Sequence, residues 1–294
     1  MSVIVKSKPA ITDYIEVLKP KETSLLVFIG VCSSLVAASS VHGSFPVSDF
    51  IICFIAILLG SAGANGLTNY LDRDVDSRMR RTCNRALAAR RIYPANKALP
   101  LIIGLISAGL ILSWILSPIC FAIGLIGVIS SGIFRKTIAC TFLGIVAGSA
   151  PILIGWYAIM KQPEFNLLPL LYFCMIALWT PLHVWTLMMS YRQDYERAGL
   201  HYFPLFWKDK QVIVLLAILS FALSAIALAI YFVTNMFSWI FGAVALVLSI
   251  IMIIANIRLL LYPTSQNAWR VYRLSAFPYL GIIFATMALD VWLV

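Results

Sequence analysis

Long apolar runs recur along the whole of this 294-residue chain, and they constrain its fold more than any other feature. A helix needs about 20 apolar residues to cross a bilayer core about 30 Å thick. Runs of that length account for most of the chain, and apolar residues make up 62% of the total, well above their share in soluble domains. The sequence therefore predicts an all-α, polytopic membrane bundle, folded as a single domain over residues 1–294.

The apolar runs predict nine spanning helices. The third and fourth runs abut at Ser117-Pro118 and are together too long for one crossing, so Pro118 is expected to begin a new helix. Residues 1–24 are expected to form an N-terminal segment outside the membrane. The predicted spans are 25–43, 50–70, 98–117, 118–134, 138–160, 167–190, 211–233, 237–257 and 274–294.

Basic residues lie almost entirely on one side of this predicted topology. All lysines and arginines except Lys161 fall in the N-terminal segment or in the second, fourth, sixth and eighth connections. Because cytoplasmic loops carry an excess of basic residues, the pattern predicts a cytoplasmic N-terminus in the cell (inner) membrane. The net charge of +10 thus follows from topology, and nucleic acid is not expected as a partner.

Four polar residues near the end of the second predicted span repeat with a helical spacing. Asn65, Asn69, Asp72 and Asp76 are four, three and four residues apart, so they share one face of a helix. Asp74 points elsewhere. Two carboxylates one turn apart repel each other unless a cation lies between them. Oxygen ligands of this kind suit Mg²⁺, which keeps phosphate oxygens in its coordination shell.

A dense basic loop follows these acids, with arginines at positions 78, 80, 81, 85, 90 and 91. Guanidinium groups bind phosphate through paired hydrogen bonds, so the acids and the arginines together indicate a metal–diphosphate site. A solvated loop, with arginines that only fix orientation and aspartates that balance them, accounts for the same spacing. The spacing alone leaves both interpretations open.

A second polar segment lies at the end of the sixth predicted span. His183 is placed well inside an apolar helix, and ionisable residues at membrane depth are usually functional. If the helix continues past residue 190, His183, Tyr191 and Asp194 share one of its faces. A histidine that is merely hydrogen-bonded to a neighbouring helix is the alternative, and the sequence does not exclude it.

Together these segments resemble the UbiA superfamily of intramembrane prenyltransferases. The resemblance extends over roughly residues 13–290, and its aspartate-rich motif is typical of the superfamily. The later motifs are most similar to the branch that farnesylates haem. The matching segments are Asn69-Tyr70-Leu71-Asp72-Arg73-Asp74-Val75-Asp76, Trp179-Thr180-Pro181 with His183 and Trp185, and Tyr191-Arg192 with Asp194-Tyr195.

The resemblance implies an enzyme that transfers a farnesyl group from farnesyl diphosphate to a vinyl group of haem b, giving haem O, with Mg²⁺ as cofactor. It implies metal ligation by Asp72 and Asp76 and haem binding by His183. Further catalytic roles are implied for Asn69, Asp194 and Arg192. Diphosphate-binding roles are implied for Arg81, Arg85, Arg135 and Lys136. Membrane lipid surrounds such an enzyme, and a haem A synthase or a terminal oxidase assembly is its expected protein partner.

Four residues depart from that branch of the superfamily. Thr68 stands where asparagine is usual, Ala86 and Ala88 stand where prolines are usual, and Gln193 stands where an acidic residue is common. Thr68 still offers an oxygen, whereas Gln193 leaves Asp194 as the one carboxylate of the second motif. These departures make a divergent enzyme an expectation of the sequence.

Two other functions compete with this interpretation. A UbiA-type transferase that acts on an aromatic quinone precursor is the first, but those enzymes usually carry two aspartates four residues apart in the second loop. A transporter with an acidic ion site is the second. Transporter acids lie near the bilayer midplane, whereas Asp72, Asp76 and Asp194 are expected at the membrane edge, which counts against transport.

Overall fold

The structure is a computed structural model that describes residues 9–41, 45–162, 166–200 and 203–293. Within these ranges the regular structure is helical throughout. A 3₁₀ turn at Ala95–Ala98 precedes α4, and a π-helical segment at Ser275–Gly281 joins α11 to α12. The helices are α1 (Ile11–Val17), α2 (Pro20–Ser39), α3 (Val47–Asp76), α4 (Leu99–Leu116), α5 (Pro118–Gly132), α6 (Ala139–Met160), α7 (Leu167–Ser190), α8 (Arg192–Arg197), α9 (Asp209–Thr234), α10 (Trp239–Leu261), α11 (Ser265–Leu274) and α12 (Ile282–Leu293).

Eight helical stretches in the described ranges are long and apolar enough to cross a membrane, and α11 with α12 counts as one of them. The 15-residue helix α5 is shorter, at about 22 Å. Its ends nevertheless lie at opposite ends of the bundle. Lys161 bonds to the Leu116 carbonyl just before α5 and pairs with Asp49 at the start of α3. Arg135, just after α5, contacts Asp72 near the end of α3. The described chain therefore crosses nine times, as predicted.

Several observed helix boundaries differ from the expected ones by a few residues, and three helix ends bear on the candidate site. Helix α3 runs to Asp76, six residues past the apolar run 50–70, so the predicted polar face lies on a regular helix. Helix α7 ends at Ser190, because Tyr191 leaves helical geometry (φ −118°, ψ 28°) before α8 begins. Asp194 is therefore not on a continuation of the His183 face. The last span begins at Ser265 rather than 274. Some expected features lie outside the described residues. They are the ends of the first and last predicted spans, at residues 43 and 294, and Lys6 and Lys8 of the N-terminal segment.

One pair of glycines sets the closest helix contact near the centre of the bundle. A β-carbon on Gly155 of α6 would lie 2.1 Å from the carbonyl oxygen of Gly30 on α2. Only glycine permits this approach, since any side chain there would separate the two backbones. The contact fixes α2 against α6 and thereby places the start of α2 close to the polar end of α3.

Helix α1 anchors the basic loop that follows α3. Arg91 pairs with both Asp13 and Glu16 of α1, and the backbone N–H of Ala86 donates to Glu16 at 3.2 Å. Ala86 directly follows Arg85, so this clamp also positions that arginine. We use the term basic face for this end of the bundle, which carries the connecting segments 77–94, 133–138 and 191–200.

Candidate active site

The last two turns of α3 carry a buried row of polar side chains. Asn69, Asp72 and Asp76 are 1%, 3% and 0% exposed, although α3 ends at the basic face. Asp74 points away: its side chain is 79% exposed and lies 3.5 Å from Arg73. The helical spacing of the sequence thus predicts correctly which acids share an inward face.

Three cations from two separate loops surround these carboxylates. Arg135 donates hydrogen bonds to Asp72 from two of its nitrogens, and Arg85 donates to Asp76 at 2.8 Å. The Nζ of Lys136 lies 3.6 Å from an oxygen of each carboxylate. Buried carboxylates are tolerated only with such partners, because the loss of hydration costs several kcal/mol per ion. The loop after α5 and the loop after α3 therefore meet at the end of α3.

A fourth cation, Lys19, is absent from the candidate residues drawn from the sequence. It directly precedes α2, and its Nζ donates to Thr68 Oγ1 at 2.8 Å. Burial, together with the nearby Arg85 and Arg135 guanidinium groups, lowers the pKa of Lys19 to about 8, although Asp72 and Asp76 act in the opposite direction. In the sequence, Leu18-Lys19-Pro20-Lys21 is one of the segments that resemble the UbiA superfamily, but the resemblance assigns Lys19 no role.

Two of the four cations lie on strained backbone. Lys19 and Lys136 both adopt left-handed conformations, with φ of 50° and 58°. Such conformations cost about 1–3 kcal/mol for residues other than glycine, and they concentrate at functional sites. The fold thus holds both ammonium groups beside the acids of α3 at an energetic cost.

The oxygens of this cluster fit a Mg²⁺ ion that is shared with a phosphate ligand. Asn69 donates its amide nitrogen to the Val17 carbonyl at 3.1 Å, which leaves its buried Oδ1 without a hydrogen bond. Asp76 Oδ1 likewise accepts no hydrogen bond. No group of three or more His, Cys, Asp or Glu side chains placed to hold a metal occurs in the described part of the chain. Two carboxylates suffice for Mg²⁺ when phosphate oxygens complete its shell. Thr68 is already engaged by Lys19.

A cavity of about 300 Å³ leads from this cluster into the bundle between α3, α4, α5 and α6. Its polar end is lined by Lys19, Asn65, Thr68 and Arg135. Most of the remaining wall consists of glycine, alanine and branched aliphatic side chains. Since apolar walls favour hydrocarbon and the cations favour negative charge, the cavity suits a ligand with an anionic head and an apolar chain.

His183 lies in a separate part of the bundle, on α7. Its ring is half-buried between Trp179 and Tyr272, with centroid distances of 4.6 and 4.4 Å. Its Nδ1 lies 2.8 Å from Ser275 Oγ, so the hydrogen bond to a neighbouring helix that the sequence leaves open does occur. The other ring nitrogen, Nε2, has no hydrogen-bond partner among the described residues.

The remaining candidates form a third group at the basic face. The backbone N–H of Arg81 donates to Asp194 at 3.0 Å, and the Arg81 guanidinium lies 5.5 Å from the Tyr191 ring centroid. Asp194 thus ties the first basic loop to the second. Arg192 pairs with Asp209 at 2.9 Å and lines a different cavity, of about 360 Å³. Among the described residues, no hydrogen bond or ion pair joins the side chains of Arg81, Arg192 and Asp194 to the carboxylates of α3.

Proteins of similar sequence are named protoheme IX farnesyltransferases. The chain is 32% identical to the protoheme IX farnesyltransferase of Desulforudis audaxviator (strain MP104C) over 288 residues, which cover 95% of this chain and 88% of that one. It is 33% identical to protoheme IX farnesyltransferase 1 of Picrophilus torridus over 272 residues, which cover 90% of each chain.

Comparisons with solved structures and with a family model agree with the sequence relatives. A structure of digeranylgeranylglyceryl phosphate synthase matches with a TM-score of 0.76 at 16% identity, covering 96% of this chain and 98% of that one. The UbiA homolog from Archaeoglobus fulgidus bound to GPP and Mg²⁺ matches with a TM-score of 0.62 at 14% identity, covering 94% and 99%. A model of the UbiA prenyltransferase family matches residues 26–281. The chain, a multi-pass membrane protein, therefore belongs to the UbiA prenyltransferase family.

Proposed function

We propose that this chain transfers a farnesyl group from farnesyl diphosphate to a vinyl group of haem b, giving haem O. The observation that carries the proposal is the buried Asp72–Asp76 pair, surrounded by cations at the mouth of an apolar cavity. The names of the relatives support haem b as the acceptor. A haem A synthase or a terminal oxidase assembly is the proposed partner for the product.

The cationic cluster acts on the diphosphate. Arg85, Arg135 and Lys136 hold its oxygens and stabilise the charge that grows on it as the C–O bond breaks and the electron pair leaves with the diphosphate. Asp72 and Asp76, with Asn69 Oδ1 beside them, would hold Mg²⁺, which would supply Lewis-acid stabilisation of the same leaving group.

The acceptor then completes the reaction. The vinyl π electrons of haem b form the new C–C bond to the allylic carbon, and water adds to the resulting cation and releases a proton. The apolar cavity limits the access of water to the farnesyl cation before this step. We assign haem binding to His183, whose Nε2 is unpaired and whose ring is held between two aromatic side chains.

Purified protein in lipid vesicles tests the function directly. With haem b, farnesyl diphosphate and Mg²⁺, we expect a more hydrophobic haem whose mass has increased by one farnesyl group and one hydroxyl group. Chelation of the metal is expected to stop its formation. Prenylation of an aromatic benzoate or naphthoate, with haem b left unchanged, would instead establish the quinone-precursor reaction.

The depth of the apolar cavity gives a prediction about chain length. Gly60 lines the cavity about 18 Å along α3 from Asp72, and a β-carbon on it would meet no atom within 4 Å. In Gly60→Leu the new side chain fills this space, so we expect KM for farnesyl diphosphate to rise roughly tenfold. The five-carbon dimethylallyl diphosphate ends short of this depth and should be affected less.

Gly104→Leu is the matched control for this change. A β-carbon on Gly104 also meets no atom within 4 Å, but Gly104 lies on the exposed side of α4 and does not line the cavity. Steady-state kinetics with both diphosphates should leave Gly104→Leu unchanged. An equal loss with the two substrates in Gly60→Leu would show that the farnesyl chain lies elsewhere.

We further propose that the basic face is cytoplasmic and that the protein resides in the cell membrane, in keeping with the concentration of arginine and lysine there. In a cysteine-free background, Ser77→Cys at the basic face should react with a membrane-impermeant maleimide only after spheroplasts are opened. Gln162→Cys, at the opposite end, should react in intact spheroplasts. The reverse labelling pattern would invert the proposed orientation.

A further inference from the structure

The His183 ring is fixed on three sides. Trp179 stacks on one face of the ring with an interplanar angle of 16°, and Tyr272 covers the other at 30°. Ser275 Oγ occupies the Nδ1 edge at 2.8 Å. The ring is half-buried, and Nε2 is not among the fully buried side-chain atoms that lack a hydrogen bond, so it is the accessible ring nitrogen. The imidazole thus has one fixed orientation and one accessible nitrogen.

The hydrogen bonds of Ser275 determine which nitrogen carries the proton. Ser275 Oγ lies 2.9 Å from the Tyr272 carbonyl oxygen. A carbonyl can only accept, so the Ser275 hydroxyl proton serves either this carbonyl or Nδ1. When Ser275 donates to the carbonyl, the same Oγ accepts from His183, and Nδ1 carries the N–H. In a neutral imidazole this leaves Nε2 with an unshared lone pair.

Ser275 is itself held in place by the helix that carries the histidine. Its backbone carbonyl accepts from Trp179 Nε1 at 2.6 Å, and the residue is fully buried. Directly after it, Ala276 leaves helical geometry (φ −70°, ψ −129°) within the π-helical segment. Such segments often mark functional sites. Ser275 therefore joins the π-helical segment to both Trp179 and His183 of α7.

We propose that Ser275 is a positioning residue that holds His183 in its Nδ1–H tautomer, so that Nε2 presents a lone pair to the iron of the haem substrate. This inference rests on the proposed function, since it takes an iron porphyrin as the acceptor. Histidines that bind metals usually donate their other N–H to an oxygen, and loss of that oxygen typically weakens metal binding 10- to 100-fold. The Ser275 hydroxyl has that role here.

The tautomer can be measured in the intact protein without any substitution at the site. The chain contains three histidines, so ¹⁵N-histidine labelling in lipid nanodiscs gives few imidazole signals, and loss of one set in His183→Asn assigns it. We expect the His183 Nε2 signal at the position of an unprotonated nitrogen, with the proton on Nδ1. A proton on Nε2 in the unsubstituted protein would overturn the inference, whether or not any variant folds.

Ligand binding provides the second readout. Ser275→Ala should weaken binding of haem b roughly tenfold, move the haem absorption spectrum and shift the His183 proton toward Nε2. Binding of iron-free protoporphyrin IX should stay the same, because that ring has no metal to ligate. Ser275→Thr, which keeps a hydroxyl, should recover much of the haem affinity. Ser220→Ala, which also removes a fully buried hydroxyl but lies on α9, is the matched control and should change neither porphyrin.

The outcomes separate this inference from the proposed function. Equal loss of haem b and protoporphyrin IX in Ser275→Ala would reduce Ser275 to a packing role. Unchanged haem binding in a folded Ser275→Ala protein would remove it from the site. If the unsubstituted protein forms farnesylated haem with His183 protonated on Nε2, only the tautomer inference fails. If it forms no farnesylated haem at all, the proposed function fails first.

Discussion

Replacement of Asp76 by asparagine is expected to lower the rate of prenyl transfer by roughly 10³-fold, and Asp72→Asn should do the same. Each carboxylate is buried and contacts two cations, so each is placed both to hold Mg²⁺ and to position the groups that bind diphosphate. Asparagine preserves the shape of the side chain and removes its charge. Steady-state kinetics over a range of Mg²⁺ concentrations measures the effect.

Asp74→Asn is the control that shares the same helix. The Asp74 side chain is largely exposed and faces Arg73, and surface ion pairs of this kind contribute little. We expect its rate and its Mg²⁺ dependence to match those of the unsubstituted protein. Because loss of a buried charge can also destabilise the fold, thermal unfolding in detergent should accompany the kinetics. Normal turnover in well-folded Asp72→Asn and Asp76→Asn proteins would eliminate the metal site.

Local sequence features account for the parts of the structure that were predicted correctly. The length of the apolar runs gives the eight long spans, since the thickness of the bilayer sets the helix length, and Pro118 marks the start of the shorter helix α5. The spacing of Asn69, Asp72 and Asp76 gives their shared face, since 3.6 residues complete one helical turn. Both properties depend only on residues that are close together in the chain, so neither needs knowledge of the tertiary fold.

Which basic residues reach the carboxylates of α3 and which contact other groups depends instead on the path of the loops. Arg81 and Arg85 belong to one loop of similar composition, yet Arg85 reaches Asp76 whereas Arg81 contacts Asp194 and Tyr191. The clamp between α1 and this loop helps decide which arginine turns inward. Lys19 reaches Thr68 across 49 positions of sequence, through the packing of α2 beside α3. Helical spacing carries no information about either contact.

The sequence ends the sixth span at residue 190 but leaves open whether the helix continues past it, for a related reason. Neither proline nor glycine marks the position, and the nearest proline, Pro181, lies inside α7. The break arises as the chain turns: the backbone N–H of Asp194 donates to the Tyr191 carbonyl at 2.9 Å, while the Asp194 carboxylate accepts from Arg81. A long-range contact therefore accompanies the end of the helix. Helical periodicity contains no information about this contact and would place His183 and Asp194 on one face of a continuous helix.

Replacement of Lys136 by glutamine should separate metal binding from catalysis. Its ammonium group lies 3.6 Å from both Asp72 and Asp76, in the position where a cation relieves their mutual repulsion. Loss of this charge leaves both metal-binding carboxylates intact, so Mg²⁺ binding should persist. The diphosphate, however, loses one of the charges that stabilise its departure, and we expect kcat to fall roughly 10²- to 10³-fold.

The contrast with the aspartate variants makes this prediction specific. Asp72→Asn and Asp76→Asn should lose both the Mg²⁺ response and turnover, whereas Lys136→Gln should lose turnover and keep the Mg²⁺ response. Lys161→Gln is the matched control, because Lys161 also pairs with an aspartate, Asp49, at 2.8 Å but lies at the opposite end of the bundle. Measurement of kcat and of the Mg²⁺ concentration for half-maximal rate distinguishes the three cases. A Lys136→Gln protein with normal kcat would mean that this ammonium only balances the charge of the carboxylates, and that Arg85 and Arg135 suffice for the leaving group.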